Sequence, residues 1–353
     1  MADTLHLSVL DQSPVRAGGT AREALLATVE LARAADRLGY SRYWLAEHHN
    51  SNTLASASPE VLIPVVAGAT ERIRVGSGGV MLTHYSALKV AEQFRMLETL
   101  FPGRIDIGLG RAPGSDGHTA NALRHGPGAL PLEAYPSQVA DLIAYMGDTI
   151  PEGHRFRGIR AIPAGDSMPA PWLLGSAYDS AQFAAQLGIG FAFAQFISPD
   201  GGQKVVQAYR DQFRPSALLA EPRVIIGTPA LCADTEAEAH RIGMSRHLMR
   251  LRRAEGRPSN GIPTIEEALG TSFTDPELDY IRYQQSLTVE GDPEQVREGL
   301  LALAAEYEVD ELMIVTITHD YAHRIRSYEL LAGAFNLPGV AEALPVLPVP
   351  SAG

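Results

Sequence analysis

One cysteine, Cys232, occurs in 353 residues. It excludes an internal disulfide and a cysteine-based metal cluster. In Ala230-Leu231-Cys232-Ala233 it reads as a small core residue. Lysine is nearly missing: Lys89 and Lys204 are the only two, so arginine carries almost all the positive charge. No run of basic residues occurs and the net charge is −12, which argues against nucleic acid as a partner. No apolar stretch approaches the roughly 18 residues needed to span a bilayer. Met1-Ala2-Asp3-Thr4 has no basic region followed by an apolar one, so no secretory leader is expected. H-E-x-x-H and carboxylate triads are also missing, and no metal site is expected. These absences leave a soluble cytoplasmic protein with no membrane partner.

What is present is ordinary for a large core: 45% hydrophobic and 20% charged residues. Leu5 to Leu10 alternates as a strand and breaks at Asp11-Gln12-Ser13-Pro14. Thr20 with Glu23 predicts a capped helix that Gly39 closes. Strand and helix then recur: Tyr43–Ala46, Ile73–Leu82, Ile105–Leu109, Pro171–Leu174, Phe191–Phe193, Arg223–Ala233 (interrupted at Gly227-Thr228-Pro229) and Glu311–Val315. Eight strands, most followed by a helix, fit a closed (β/α)8 TIM barrel in the α/β class better than an open sheet. The whole chain, 1–353, reads as one barrel domain. Insertions follow strand 4 (residues 112–131, a Gly/Pro-rich loop) and strand 7 (residues 255–285, aperiodic and mobile). His154–Ile162 reads as a small hairpin, and 337–353 as a loosely packed, Pro-rich tail.

Four constellations sit at strand ends, where barrel enzymes keep their chemistry. Gly108-x-Gly110-Arg111 ends a buried strand, with spacing unsuited to a dinucleotide fingerprint. Arg111 is an anion anchor or, taken alone, half of a surface ion pair. Leu174-Gly175-Ser176-Ala177-Tyr178-Asp179-Ser180 runs from a strand into a helix start. It is an anion cradle or plain capping by serine or aspartate. In Glu47-His48-His49, adjacent histidines on a strand would face opposite ways and not chelate one metal. Gly78-Gly79 within a strand is a bulge, or a place where something flat approaches the backbone.

In order and spacing these residues resemble the bacterial luciferase-like flavin monooxygenase family. The likeness runs through Trp44-Leu45-Ala46-Glu47-His48-His49, Val75 to Val80, Gly103 to Arg111, Gly175-Ser176-Ala177 and Gly291 to Val296. It is nearest to the single-chain oxidoreductases of bacterial genomes and antibiotic pathways. The resemblance implies FMN in its reduced form (FMNH2), bound at the carboxyl ends of the strands. Arg111, Ser176, Ala177 and Ser180 would hold the phosphate. Gly78 and Gly79 would form a cis peptide against the flavin ring, and His48 would be the catalytic histidine. Gly110 stands where luciferase has a cysteine, and Ala194-Gln195 where it has a serine and an aromatic, which argues against a long aldehyde as substrate.

The implied reaction is that of a two-component monooxygenase. FMNH2 would come from a separate NAD(P)H-dependent flavin reductase and react with molecular oxygen through a C4a-(hydro)peroxyflavin. One oxygen atom would enter a small organic substrate, such as a polyketide intermediate. His48, with an ordinary pKa near 6.5, would handle the proton. Asp11, His84 and Gln195 are candidates for the substrate wall, and residues 255–285 for a lid. A homodimer would pair through Val61–Ala69 and Ala87–Leu100, where Leu62, Val65, Val66 and Ala69 make an apolar stripe that faces either the partner or the barrel wall. The rivals on the same fold are a deazaflavin-dependent dehydrogenase or reductase and a non-catalytic flavin-binding protein.

Overall fold

A computed structural model of the chain describes residues 5–125, 130–257 and 259–339. Most of the tail assigned from sequence, from residue 340 on, lies outside these. The strands are β1 (His6–Asp11), β2 (Arg42–Leu45), β3 (Arg74–Met81), β4 (Ile105–Gly110), β5 (Ala170–Gly175), β6 (Gly190–Ala194), β7 (Val224–Cys232), β8 (Val289–Gly291) and β9 (Glu311–Val315). All pairings between these strands are parallel. Neighbours run β1 through β7, then β9, which pairs back onto β1. Eight strands thus close a (β/α)8 barrel. The short β8 lies outside it and pairs only with the outer end of β7 (Ala230–Cys232).

Local chemistry forms the elements as the sequence suggests. Thr20 caps helix Ala21–Leu38 in a reciprocal box with Glu23, and Gly39 ends it at φ 90°. Alternation along the strands divides two cores. Leu7 and Val9 face the helices, while Leu10 joins Trp44, Ala46, Trp172, Ala192, Ile225, Met313 and Val315 in the barrel lumen.

The amino-terminal mouth is closed by a buried polar network. Asp106 accepts hydrogen bonds from Arg42 Nη1 (2.8 Å), Trp44 Nε1 (2.9 Å) and Arg74 Nε (2.8 Å). Glu311 accepts from Arg42 Nε (2.9 Å) and Ser8 Oγ (2.6 Å). Burial pushes the Asp106 carboxyl up, but Arg42 and Arg74 outweigh it and hold it below its ordinary range.

Four expectations are corrected. β7 is continuous through Pro229. Its pairing with β6 ends at Gly227, so the missing N–H of Pro229 leaves no bond unmade on that side. Residues 112–131 are not all loop: Asp116 caps a short helix, Gly117–Leu123. Residues 154–162 make successive turns rather than a hairpin. Residues 255–285 carry helix Ile265–Gly270 and most of helix Asp275–Ser286, started by Thr264 and by a Thr274–Glu277 box. The first is too short to show a helical period in sequence, and the second has too few apolar residues to show one.

Candidate active site

The insertion after β7 closes the carboxyl-terminal mouth. Helix Glu236–Ala254 sets Met249 against the lumen cluster, and Ile262 is buried within that cluster. Ile262 is pinned to the β1 loop by its N–H on Val15 O (2.7 Å) and its carbonyl on Ala17 N (2.8 Å).

Beneath this cover, the β2 and β3 ends are tied together by a residue to which sequence reading gave no role. Glu47 is fully buried. Its carboxylate accepts from Met81 N (2.9 Å) and Tyr85 Oη (2.7 Å), and His49 Nε2 lies 2.8 Å away. Its place between Ala46 and His48 was visible, but its partner Tyr85 lies 38 residues on.

β2 ends at Leu45, so His48 and His49 lie on the loop beyond the strand rather than on it. His49 belongs to Glu47. The His48 Nδ1 is buried with no hydrogen-bond partner among the described residues. Burial, followed by Arg253 and His49, pushes the His48 imidazole down to about 4. It is therefore neutral at neutral pH, not the half-charged group that an ordinary pKa gave. Its chemistry is that of a hydrogen-bonding imidazole.

Of the substrate-wall candidates, Asp11 does not face the lumen. It points into the helix layer, where Arg324 Nη2 (2.7 Å), the Ser13 N–H (2.7 Å) and the Tyr43 hydroxyl occupy its carboxylate. Strand alternation explains this: Leu10, its neighbour, took the inward position. His84 donates from Nε2 to Pro113 O (2.9 Å) and stacks edge-on to His49, holding the loop after β4. Gln195, just beyond β6, accepts from Thr228 Oγ1 at 3.3 Å.

The Gly78–Gly79 peptide is cis, and the pairing of β3 with β4 shifts register across it. A Cβ on Gly79 would lie 2.7 Å from Gly108 O. One on Gly78 would lie 2.5 Å from Leu10 Cδ1. Gly79 is required by the close approach of the Gly108 backbone, whereas at Gly78 the neighbour is the tip of a leucine side chain.

Arg111, Ser176, Ala177 and Ser180 come together at the ends of β4 and β5. Arg111 is 45% exposed, with Nη1 at 3.6 Å from Asp179 Oδ2, an exposed and weak pair. Asp179 lies in the first turn of helix Tyr178–Leu187. The N-cap of that helix is Ala177, and no side chain caps it. Its first N–H groups are thus open to an anion, against the capping alternative. Ser180 Oγ lies so near Gly175 that a Cβ there would be 2.2 Å away. Tyr135 is a further group that the sequence did not single out. Its hydroxyl is buried without a partner among the described residues, within electrostatic reach of Arg111.

Comparison with known proteins accords with this geometry. Residues 5–311 match the luciferase-like monooxygenase family. The N-acetyl-S-alkylcysteine monooxygenase of Bacillus subtilis is 37% identical, over 94% of this chain and 98% of its own. The crystal structure of apo-MsnO8 is 38% identical, with a TM-score of 0.86 over 95% of this chain and 99% of its own. A likeness of fold alone, at 18% identity and a TM-score of 0.69, covers 93% of this chain and 97% of the oxygenating constituent of 3,6-diketocamphane monooxygenase from Pseudomonas putida, solved with FMN. The chain therefore belongs to the luciferase-like monooxygenase family and is a monooxygenase.

Proposed function

We propose that the cofactor is the flavin FMN, used in its reduced form with molecular oxygen, and that a separate NAD(P)H-dependent flavin reductase supplies it in the cytoplasm. The observation that carries this reading is the uncapped helix start at Ala177 beside Arg111. A phosphate there would take the first-turn N–H groups, the hydroxyls of Ser176 and Ser180, and Arg111 in place of its weak pair with Asp179. Bound in this way, reduced FMN would supply the electrons that activate oxygen.

The chain's own residues do the rest. Gly78 and Gly79 keep side chains off the bulged backbone of β3. Met249 and Ile262 close the mouth and exclude water. Glu47 fixes His49 and Tyr85, and leaves His48 as a neutral imidazole with a free Nδ1 to hydrogen-bond the reacting oxygen.

The substrate is a small organic molecule. A secondary-metabolite intermediate such as a polyketide was one reading of the sequence. The relative named for N-acetyl-S-alkylcysteines favours a small S-alkylated amino-acid derivative.

The active unit is a homodimer in this proposal. Val61, Val65, Met96 and Leu100 are exposed on helices Pro59–Gly68 and Ala87–Leu100, the two helices assigned to pairing. The stripe read from sequence divides between its two alternatives, wall and partner. Val66 is buried in the barrel wall, and Leu62 and Ala69 pack against the core, leaving Val65 as the shared member.

The test supplies N-acetyl-S-benzyl-L-cysteine with FMNH2 under 18O2. One labelled oxygen atom should enter the product. Equal turnover without oxygen would overturn the reading and favour a deazaflavin-type hydride transfer.

A further inference from the structure

Helix Glu236–Ala254 has two kinds of arginine. Arg241 is paired with Glu238 (2.7 Å) and Arg252 with Glu267 (2.7 Å). Arg246, Arg250 and Arg253 share another face, at helical spacing around Met249, which packs on the barrel lumen. None of these three forms an ion pair with a carboxylate among the described residues.

Their partners are neutral. Arg246 is only 5% exposed. Its Nη1 donates to Thr288 Oγ1 (2.7 Å) and its buried Nε has no partner among the described residues. Arg250 Nη1 donates to Gln284 Oε1 (2.8 Å). Glu290, the nearest acid that acts on Arg246, is held by His240 (2.8 Å) and lies 3.5 Å from His247. Burial and then the neighbouring Arg250 push Arg246 down to about 9, against the pull of Glu290. Arg253 continues the row to the catalytic side, where its charge acts on His48. Arg246 is buried, Arg250 half-buried and Arg253 exposed, so the row runs from the interior to the surface, and an anion docked on it would relieve the cost of the buried, unpaired member.

We infer that the substrate carries a carboxylate that docks on this arginine face, with Arg250 and Arg253 in contact and Arg246 behind them. The inference rests on the monooxygenase reading, since the ligand is the molecule being oxygenated. It places the acid group at the edge of the cover, on the side of His48 where Arg253 acts. Arg111 and the helix start at Ala177 remain a separate site for the flavin phosphate.

The experiment measures binding of N-acetyl-S-benzyl-L-cysteine and of its primary amide to the FMN-loaded protein by calorimetry. The acid should bind about tenfold tighter or more, the worth of one charge-assisted contact. Arg253→Gln, at an exposed position, and Arg250→Gln should each shrink that preference severalfold while the affinity for FMN is unchanged. Equal binding of acid and amide, no binding of either, or a preference that survives in both variants would overturn the inference. So would variants that lose FMN affinity instead, because the anion read would then be the flavin phosphate. Binding needs no turnover: acid-selective binding without 18O incorporation would sink the monooxygenase reading alone, and equal turnover of acid and amide this inference alone.

Discussion

The two mouths of the barrel both hold arginines, and they treat them in opposite ways. At the amino-terminal mouth Arg42 and Arg74 bind Asp106, and Arg42 also binds Glu311. Each of these four charges has an opposite within hydrogen-bonding distance. At the carboxyl-terminal mouth Arg111 has a loose partner at 3.6 Å, Arg246 and Arg250 have neutral ones, and His48 Nδ1 has none among the described residues. Saturated charges hold a fold. Unsaturated ones are free to hold something else, and the chemistry lies at the unsaturated end.

The sharpest way to break that contrast is to leave the amino-terminal mouth unsaturated. Asp106→Asn would leave Arg74 without a carboxylate and Arg42 with Glu311 alone, and should cost about 3–5 kcal/mol of stability, the usual effect of removing one partner of a buried pair. Denaturant unfolding would show it, with FMN affinity unchanged wherever the variant stays folded. A loss below about 1 kcal/mol would mean that the network is not what closes the barrel.

Arg111→Ala works at the opposite mouth and should do the reverse. FMN affinity should fall by roughly 10- to 100-fold, in line with a lost charged hydrogen bond of about 1.5–3 kcal/mol. The unfolding midpoint should hardly move, because the residue is 45% exposed. Equal loss of FMN and riboflavin affinity would remove Arg111 from the phosphate.

The third test uses pH. His48 in the folded chain titrates at about 4, below its ordinary 6.5, so the unfolded chain takes up the proton first as pH falls. The contribution of neutral His48 is fully present above pH 6.5 and is lost progressively toward pH 4. At pH 5 the loss is on the order of 2 kcal/mol. Arg253 and His49 are the charged neighbours that share in it. His48→Gln should flatten the stability curve between pH 7 and 5 by that amount. Equal slopes in both proteins would show that His48 is not buried as described.

Much of the site was legible because strand ends are legible. Arg111, Ser176, His48 and Gly78-Gly79 each follow an apolar run, and in a βα repeat such positions fall at one mouth. The helix start at Ala177 was left open between capping and anion binding, since serine and aspartate beside a helix suit both. The backbone, with Ala177 itself as the cap residue, removes the capping alternative. Asp11 failed for a simpler reason. A polar residue at a strand end faces the lumen or the helix layer according to parity, and Arg324, 313 residues away, was not visible as its partner. The tie of Glu47 to Tyr85 and the arginine face of helix Glu236–Ala254 were hidden likewise, because both depend on contacts between distant segments.

By itself, then, the sequence determined the periodic features of this protein: eight strands alternating with helices, their caps, and the glycines and arginine that end them. These are set by local sterics and by apolar spacing over a few residues. Tertiary structure alone decided which charges are neutralised. A carboxylate cancels an arginine only at hydrogen-bonding distance, and that distance is fixed by barrel closure and by the cover after β7. That choice gave Asp106 to the core, left Arg111 and His48 open, and set an unpaired arginine face above the mouth.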